Sequence, residues 1–294
     1  MGDVRGFAVE QRDGVFAGPV RRPGNASKDA KGSIHDDETA QKLGFRGGTV
    51  AANIHFEQFS PLMEAVFGPE WHRRGGLSLY FLTPTTDGEP VQAFARKLSG
   101  QADDLPRAEI WMEDAQGAKV CEGTASLGGP DPNSALRQRL RGVRPASDLR
   151  LLRNSKVGDT IQGVPSRLRL DHTMPRLEHI TEPMPFYRDE TAYGEIVAAP
   201  AVAIDALRVV EAPLFRPESA YVGMFGAIEL QFLDGPVFVE HDYLADGRAL
   251  ALSESPKTEV VWYESVLKDA DSGRLIAQMI LMSRLLKASS PLWT

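Results

Sequence analysis

A histidine and two carboxylates, His35-Asp36-Asp37, stand directly before a short helical pattern in this 294-residue chain. A glycine-rich turn follows (Gly44, Gly47, Gly48), and then a small-residue helix start, Thr49-Val50-Ala51-Ala52. Imidazole exchanges protons near neutral pH, and a neighbouring carboxylate tunes it. A helix start offers N–H donors and the positive end of a dipole. This order therefore sets an acid/base group beside a place where a developing oxyanion is held, and glycines let backbone come close.

The remaining reactive residue types point to less. His55 lies in the following helical pattern, facing either core or site, and His72, beside Arg73 and Arg74, reads as a solvated loop residue. His172, His179 and His241 have no metal-ligand spacing, so no metal is expected. The single cysteine, Cys121, excludes an internal disulfide and any multi-cysteine metal site, and its alternating surroundings read as a half-buried strand. Ser253–Glu259 lacks the nucleophile-elbow pattern and reads as a strand-to-strand turn. A net charge of −7 argues against a general nucleic-acid or membrane-surface binder. With no apolar run of spanning length and charges within Met1–Glu10, a soluble cytoplasmic protein is expected.

These residues need elements to position them. Strand-like pieces at Gly6–Gln11 and Val15–Val20 flank the turn Asp13-Gly14. Asp36–Leu43 reads as a helix ending at Gly44, and Thr49–Phe59 as a second one. Ser60-Pro61 reads as an N-cap and first helical residue opening a third. The period then changes from helix to strand: Leu77–Leu82, Val91–Lys97, Glu109–Met112 and Lys119–Leu127 alternate, the last two joined by the turn Asp114–Gly117. Helices followed by an antiparallel run make an α+β layout without βαβ alternation. The expected organisation is an N-terminal unit over 1–130, a basic linker over 131–156, and a C-terminal unit over 157–294. The linker's Ser134–Lys156 stretch carries Arg137, Arg139, Arg141, Arg144, Arg150, Arg153 and Lys156 against Asp148. It reads either as a solvated helix or as a seat for an anionic ligand.

The second half repeats the first. Asp37-Glu38-Thr39-Ala40 recurs as Asp189-Glu190-Thr191-Ala192, and Thr49-Val50-Ala51-Ala52 as Ile196-Val197-Ala198-Ala199. Leu79-Tyr80-Phe81-Leu82 recurs as Leu230-Gln231-Phe232-Leu233, Trp111 as Trp262, and the turn Asp114–Gly117 as Asp269–Gly273. The order of the matches carries more weight than any one of them. Two copies of one α+β unit suggest a fused dimer, two sheets joined edge to edge about a pseudo-two-fold axis.

A duplicated helix wrapped by an antiparallel sheet resembles the double-hotdog fold. Ser33-Ile34-His35-Asp36-Asp37, Ala40, Leu43-Gly44-Phe45 and Gly48-Thr49-Val50-Ala51 resemble the MaoC-like, R-specific enoyl-CoA hydratase segment. That segment runs Asp-x-Asn-Pro-Ile-His-x-Asp, an alanine-bearing helix, Gly-Phe, and Gly-Pro-Ile-Ala-His-Gly. The resemblance implies hydration or dehydration of an acyl-CoA thioester. Coenzyme A is then part of the substrate, and no separate cofactor is needed. His35 matches the family's histidine and Asp37 its second, structural acid. Gly48 and Thr49 would present N–H groups to the thioester carbonyl, with His55 nearby.

The family's aspartate lies five residues before the histidine, where this chain has Ala30; Asp29, one position further back, would serve through a longer loop. In the second copy Tyr187 takes the histidine's place, with Glu182 five residues before it, either as an acid/base pair or as a degenerate site. The partner expected is a small-molecule acyl thioester, with no nucleic acid and no membrane; a homodimer of the whole chain stays open. The alternatives are a hotdog thioesterase using Asp37 or Glu57, a lyase acting on a non-thioester carbonyl compound, and a silent ligand-binding or partner subunit.

Overall fold

Alternating apolar and polar runs, broken by turn residues, pair here into one antiparallel sheet that winds around three central helical pieces. The computed structural model describes residues 2–4, 7–100, 104–189 and 192–293. The expected match at Asp189–Ala192 includes Glu190 and Thr191, which lie outside the described residues, as does Gly6 of the first expected strand.

The N-terminal unit contains β1 (Gly2–Val4), β2 (Phe7–Arg12), β3 (Val15–Ala17), β4 (Gly75–Phe81), β5 (Val91–Lys97), β6 (Arg107–Asp114) and β7 (Lys119–Leu127). Its helices are α1 (Asp37–Lys42), α2 (Ala52–Glu57), α3 (Ser60–Phe67) and α4 (Trp71–Arg74). Then come α5 (Ala135–Arg141), β8 (Thr160–Ser166), α6 (Leu170–Leu177), α7 (Pro200–Arg208) and α8 (Glu211–Leu214). The chain closes with β9 (Gly223–Phe232), β10 (Tyr243–Glu254), β11 (Thr258–Asp269) and β12 (Leu275–Leu286). The sheet order is β1-β2-β3-β5-β6-β7-β4-β9-β12-β11-β10-β8. Read outward from the β4–β9 seam, the order 4-7-6-5-3 on one side matches 9-12-11-10-8 on the other.

The seam is symmetric to the residue. Leu79 and Leu230 are repeat equivalents, which makes Ser78 equivalent to Glu229, and these two face each other across the ladder. Inside each half the sheet packs on its helix. Phe56 on α2, Phe59 at the junction, and Leu62 and Met63 on α3 are all buried, each contributing about 1.5–3 kcal/mol by leaving water. α7 is buried along Val202, Ala203, Ile204 and Leu207, and α2 packs against α7.

Several expectations change on contact with the fold. The second helix starts at Ala52 rather than Thr49. Ser60 is inside α3 rather than capping it, because α2 runs almost directly into α3; its hydroxyl donates instead to Glu57. His72 is buried, not solvated: it hydrogen-bonds Glu64 at 3.0 Å and packs edge-on against Phe186. Cys121 is fully rather than half buried. Val50 N–H donates to the Thr85 carbonyl as Ala198 N–H donates to that of Val237, so Thr49 corresponds to Val197, one residue off the sequence match. Small residues align in either register, which hides that slip in the sequence.

The basic segment after 130 keeps most of its basic side chains exposed, as a solvated helix would, while one side of α5 is anchored to the sheet. Leu136 of α5 is buried against Trp262 and Ile280 on the outer face of the sheet. Arg137 pairs with Glu229, Arg139 with Glu122, Arg150 with Asp148 and Arg153 with Glu218. Buried Glu229 also accepts the hydroxyls of Ser78 and Ser134, tying α5 to the seam. Glu229→Ala leaves Arg137 and both hydroxyls without their acceptor. We expect it to lower unfolding free energy by about 3 kcal/mol in urea titrations, with Glu229→Gln losing less.

Candidate functional site

His35 sits on a loop held from three sides. Asp36 caps α1 by accepting the Thr39 N–H. The buried Asn25 amide donates to the His35 carbonyl oxygen at 2.7 Å, and Thr49 N–H donates to the Ile34 carbonyl at 2.9 Å. Gly48 packs so tightly on this loop that a Cβ there would lie 2.2 Å from the His35 carbonyl oxygen. The half-buried His35 ring makes a 2.7 Å bond from Nδ1 to the Thr49 carbonyl. A carbonyl only accepts, so Nδ1 carries a proton, and in the neutral ring the lone pair is on Nε2. Nε2 has no hydrogen-bond partner among the described residues, and His35 lines a cavity of about 510 Å³.

The amides expected to face substrate do not. Gly48 N–H donates to Asp37 Oδ1 at 2.7 Å and Thr49 N–H is held by Ile34. Asp37 thus braces the glycine turn from an exposed position. The helix itself begins three residues later than the motif implies, at Ala52: Ala51 is the N-cap of α2, no side chain caps it, and Ala51 and Ala52 line the cavity. In the first turn of α2 the Ile54 N–H donates to the Ala51 carbonyl, and the N–H groups of Ala52 and Asn53 make no hydrogen bond among the described residues. Asp29 is exposed on the 27–30 turn, away from the cavity lining, and makes no hydrogen bond to His35. His55 lines the cavity but is buried, with Nε2 on Thr85 Oγ1 at 2.7 Å and Nδ1 near the Gln58 amide. Burial pushes its pKa down to about 4, so it is a neutral brace at pH 7.

The other wall belongs to the second unit. Pairing across the seam ends at Tyr80 and Ala227. Beyond that point Phe81–Thr83 and Gly223–Phe225 separate and flank the cavity, which Arg208, Glu211, Tyr221, Ser283 and Arg284 complete. Sequence reasoning missed these residues, since they lie far from His35 along the chain. Two signals were present: Arg284 interrupts an apolar strand, and Gly226 interrupts another. Arg208 donates to Glu211 through Nε and Nη2, and Tyr263 OH adds to the same carboxylate.

The equivalent place in the second unit is filled. Val197 N–H donates to the Phe186 carbonyl as Thr49 N–H does to that of Ile34, so Tyr187 occupies the position of His35. Its hydroxyl donates to Glu57 Oε1 at 2.7 Å, as does that of Ser60 at 2.9 Å, and Ala201 N–H in the first turn of α7 donates to Glu57 Oε2 at 3.0 Å. Glu57 comes from α2 of the first unit and is fully buried. Glu182, also buried, takes a two-pronged ion pair from Arg21 at 2.6 and 2.9 Å. Tyr187 thus joins Glu57 in a centre closed by the chain's own side chains, while Glu182 is taken up by Arg21. Glu57, enclosed by three donors, does not face the cavity beside His35.

No family model matches the chain and no curated protein is similar to it in sequence. Solved structures are similar to it in fold over nearly its whole length. A Mycobacterium tuberculosis protein described as having a double hotdog fold is 13% identical, with TM-score 0.60, covering 94% of this chain and 96% of its own. A protein from Chloroflexus aurantiacus J-10-fl described as a MaoC domain dehydratase is 13% identical, with TM-score 0.57, and 96% of each chain is covered. A MaoC-like dehydratase is 14% identical, with TM-score 0.53, covering 96% of this chain and 98% of its own. The fold is a double hotdog. No helix among the described residues is long and apolar enough to cross a membrane.

Burial raises the Glu57 pKa from 4.5 to about 7, against the lowering effect of its three donors. The folded state therefore holds this proton more tightly than the unfolded chain does. The stabilisation it brings is complete below pH 4.5 and disappears as pH rises through about 7, amounting to at most about 3 kcal/mol. Glu57→Gln, whose amide fits the same hydroxyls and N–H once the hydroxyls rotate, should flatten the fall in melting temperature between pH 5 and pH 8 seen for the unaltered chain.

Proposed function

We propose that the chain is a MaoC-like hydratase or dehydratase acting on an α,β-unsaturated or 3-hydroxy acyl thioester, such as an acyl-CoA, with His35 as its acid/base. The observation that carries this reading is the His35 ring itself: Nδ1–H is fixed on the Thr49 carbonyl, and unpartnered Nε2 belongs to a ring lining the cavity beside the uncapped start of α2. In the dehydration direction Nε2 takes the α-proton. Negative charge moves to the thioester oxygen, where first-turn amides of α2 stabilise it. The imidazolium then protonates the departing 3-hydroxyl, which leaves as water as the double bond forms. Hydration is the reverse. One imidazole serves both steps when hydrogen and hydroxyl lie on the same face. That economy suits a site in which no carboxylate hydrogen-bonds His35 and exposed Asp29 stands apart. The fold neighbours described as MaoC dehydratases support the same reaction class.

A thioesterase is the second reading, favoured by the same lone base: an imidazole without a carboxylate partner also directs water at a thioester carbonyl. With crotonyl-CoA, the hydratase reading expects loss of the conjugated-thioester absorbance without release of free thiol. His35→Ala should lower that rate by at least about 100-fold while leaving the melting temperature close to that of the unaltered chain. Thiol release instead of hydration selects the thioesterase, and turnover insensitive to His35→Ala rejects both.

A further inference from the structure

We propose that the Thr85 hydroxyl, its proton aimed by His55 and Gln58, donates to an oxygen of the acyl thioester bound in the cavity. The proposal rests on the reading of this cavity as a thioester site. Thr85, His55 and His35 all line it. Thr85 and His35 are held to adjacent residues. The Thr85 carbonyl accepts the Val50 N–H at 2.9 Å, and His35 Nδ1 bonds the Thr49 carbonyl at 2.7 Å. Thr85 is only 2% exposed, so its hydroxyl needs partners other than bulk water.

The direction of the proton follows from Gln58. Its Nε2 lies 3.4 Å from His55 Nδ1, and an amide nitrogen only donates. Nδ1 therefore accepts, and the one proton of the neutral ring is on Nε2. Turned about, the amide would put two N–H donors at the buried position where Oε1 now finds no partner. An unpaired carbonyl costs less than unpaired N–H groups, which favours the amide as it stands. His55 Nε2–H then donates to Thr85 Oγ1 at 2.7 Å. That bond uses the oxygen as an acceptor and turns the hydroxyl proton away from the imidazole. The hydroxyl makes no second hydrogen bond among the described residues. A buried O–H without an acceptor is costly, and the cavity is where an acceptor can be supplied. The chain thus holds a donor already oriented when substrate enters. The oxygen it meets is either the thioester carbonyl or the oxygen at C3.

The tautomer is read without ligand. Long-range proton–nitrogen NMR should find the His55 ring protonated on Nε2; a ring protonated on Nδ1 overturns the proposal. Three ligands then separate the two oxygens: S-butyl-CoA, which has neither, butyryl-CoA, which has the carbonyl, and 3-hydroxybutyryl-CoA, which has both. Thr85→Val should leave the calorimetric Kd of S-butyl-CoA within about twofold. A loss of about fivefold or more with both oxygen-bearing ligands assigns the carbonyl; loss confined to 3-hydroxybutyryl-CoA assigns the C3 oxygen. Thr85→Ser should retain the affinity. Gln58→Glu, whose carboxylate accepts from Nδ1, moves the ring proton there and engages the Thr85 proton on Nε2. It should show the reversed ring by NMR and reproduce the loss with Thr85 in place, and it carries the test where Thr85→Val does not fold. Thr85-dependent affinity without any turnover upholds the donor, and it is then the catalytic reading that fails. Affinities indifferent to Thr85→Val and Gln58→Glu, or no binding of any of the three by the unaltered chain, overturn the donor, even where crotonyl-CoA is turned over through His35.

Discussion

The short antiparallel ladder between β4 and β9 is the constraint on which the rest depends. It makes one continuous sheet out of two duplicated halves, and it does so about Ser78 and Glu229, which are equivalents of one another. An edge strand left bare would expose a row of unpaired N–H and C=O groups. Joining the two edges removes both at once. α5 then crosses the outer face and is tied to the seam through Glu229. The ladder also has to end, and its end creates the cavity: past Tyr80 and Ala227 the strands part, and a space opens that the start of α2 and His35 line from one side and Arg208 and Ser283 from the other.

Duplication supplied two places of the same geometry, and the chain treats them differently. In the first, the ring of His35 is braced by backbone and its second nitrogen is left without a partner. In the second, Tyr187 replaces it, and a carboxylate from the neighbouring helix occupies the donors that the start of α7 provides. Glu57 lies on α2, whose N-terminus borders the open cavity, so the closed centre fixes the helix that frames the open one. The asymmetry leaves an open cavity beside the first place and a centre filled by side chains at the second.

Much of this was legible in the residues. Alternation located the strands, ordered matches exposed the duplication, and the duplication implied sheets joined edge to edge. His35 stood out by type and by its place before a helix. The exact amides did not: Gly48 and Thr49 look like oxyanion donors in a linear motif, yet loop closure commits both to Asp37 and Ile34. Asp29 lies near His35 in sequence and far from its ring nitrogens in role, because the 27–30 turn faces solvent.

By itself, then, the sequence determined the α+β units and their pairing as a double hotdog, and it singled out His35, which lines the cavity. Local propensity and hydrophobic period are short-range properties, and a repeat preserves them in order. Tertiary structure alone decided which donors remain available, that Glu57 fills the second centre, and that Arg208, Tyr221 and Ser283 line the cavity beside His35. Those outcomes turn on one-residue register, a bulge at Gly226 and contacts between distant segments. Such contacts are set by how the whole sheet closes on its helices, and no window of the chain contains them.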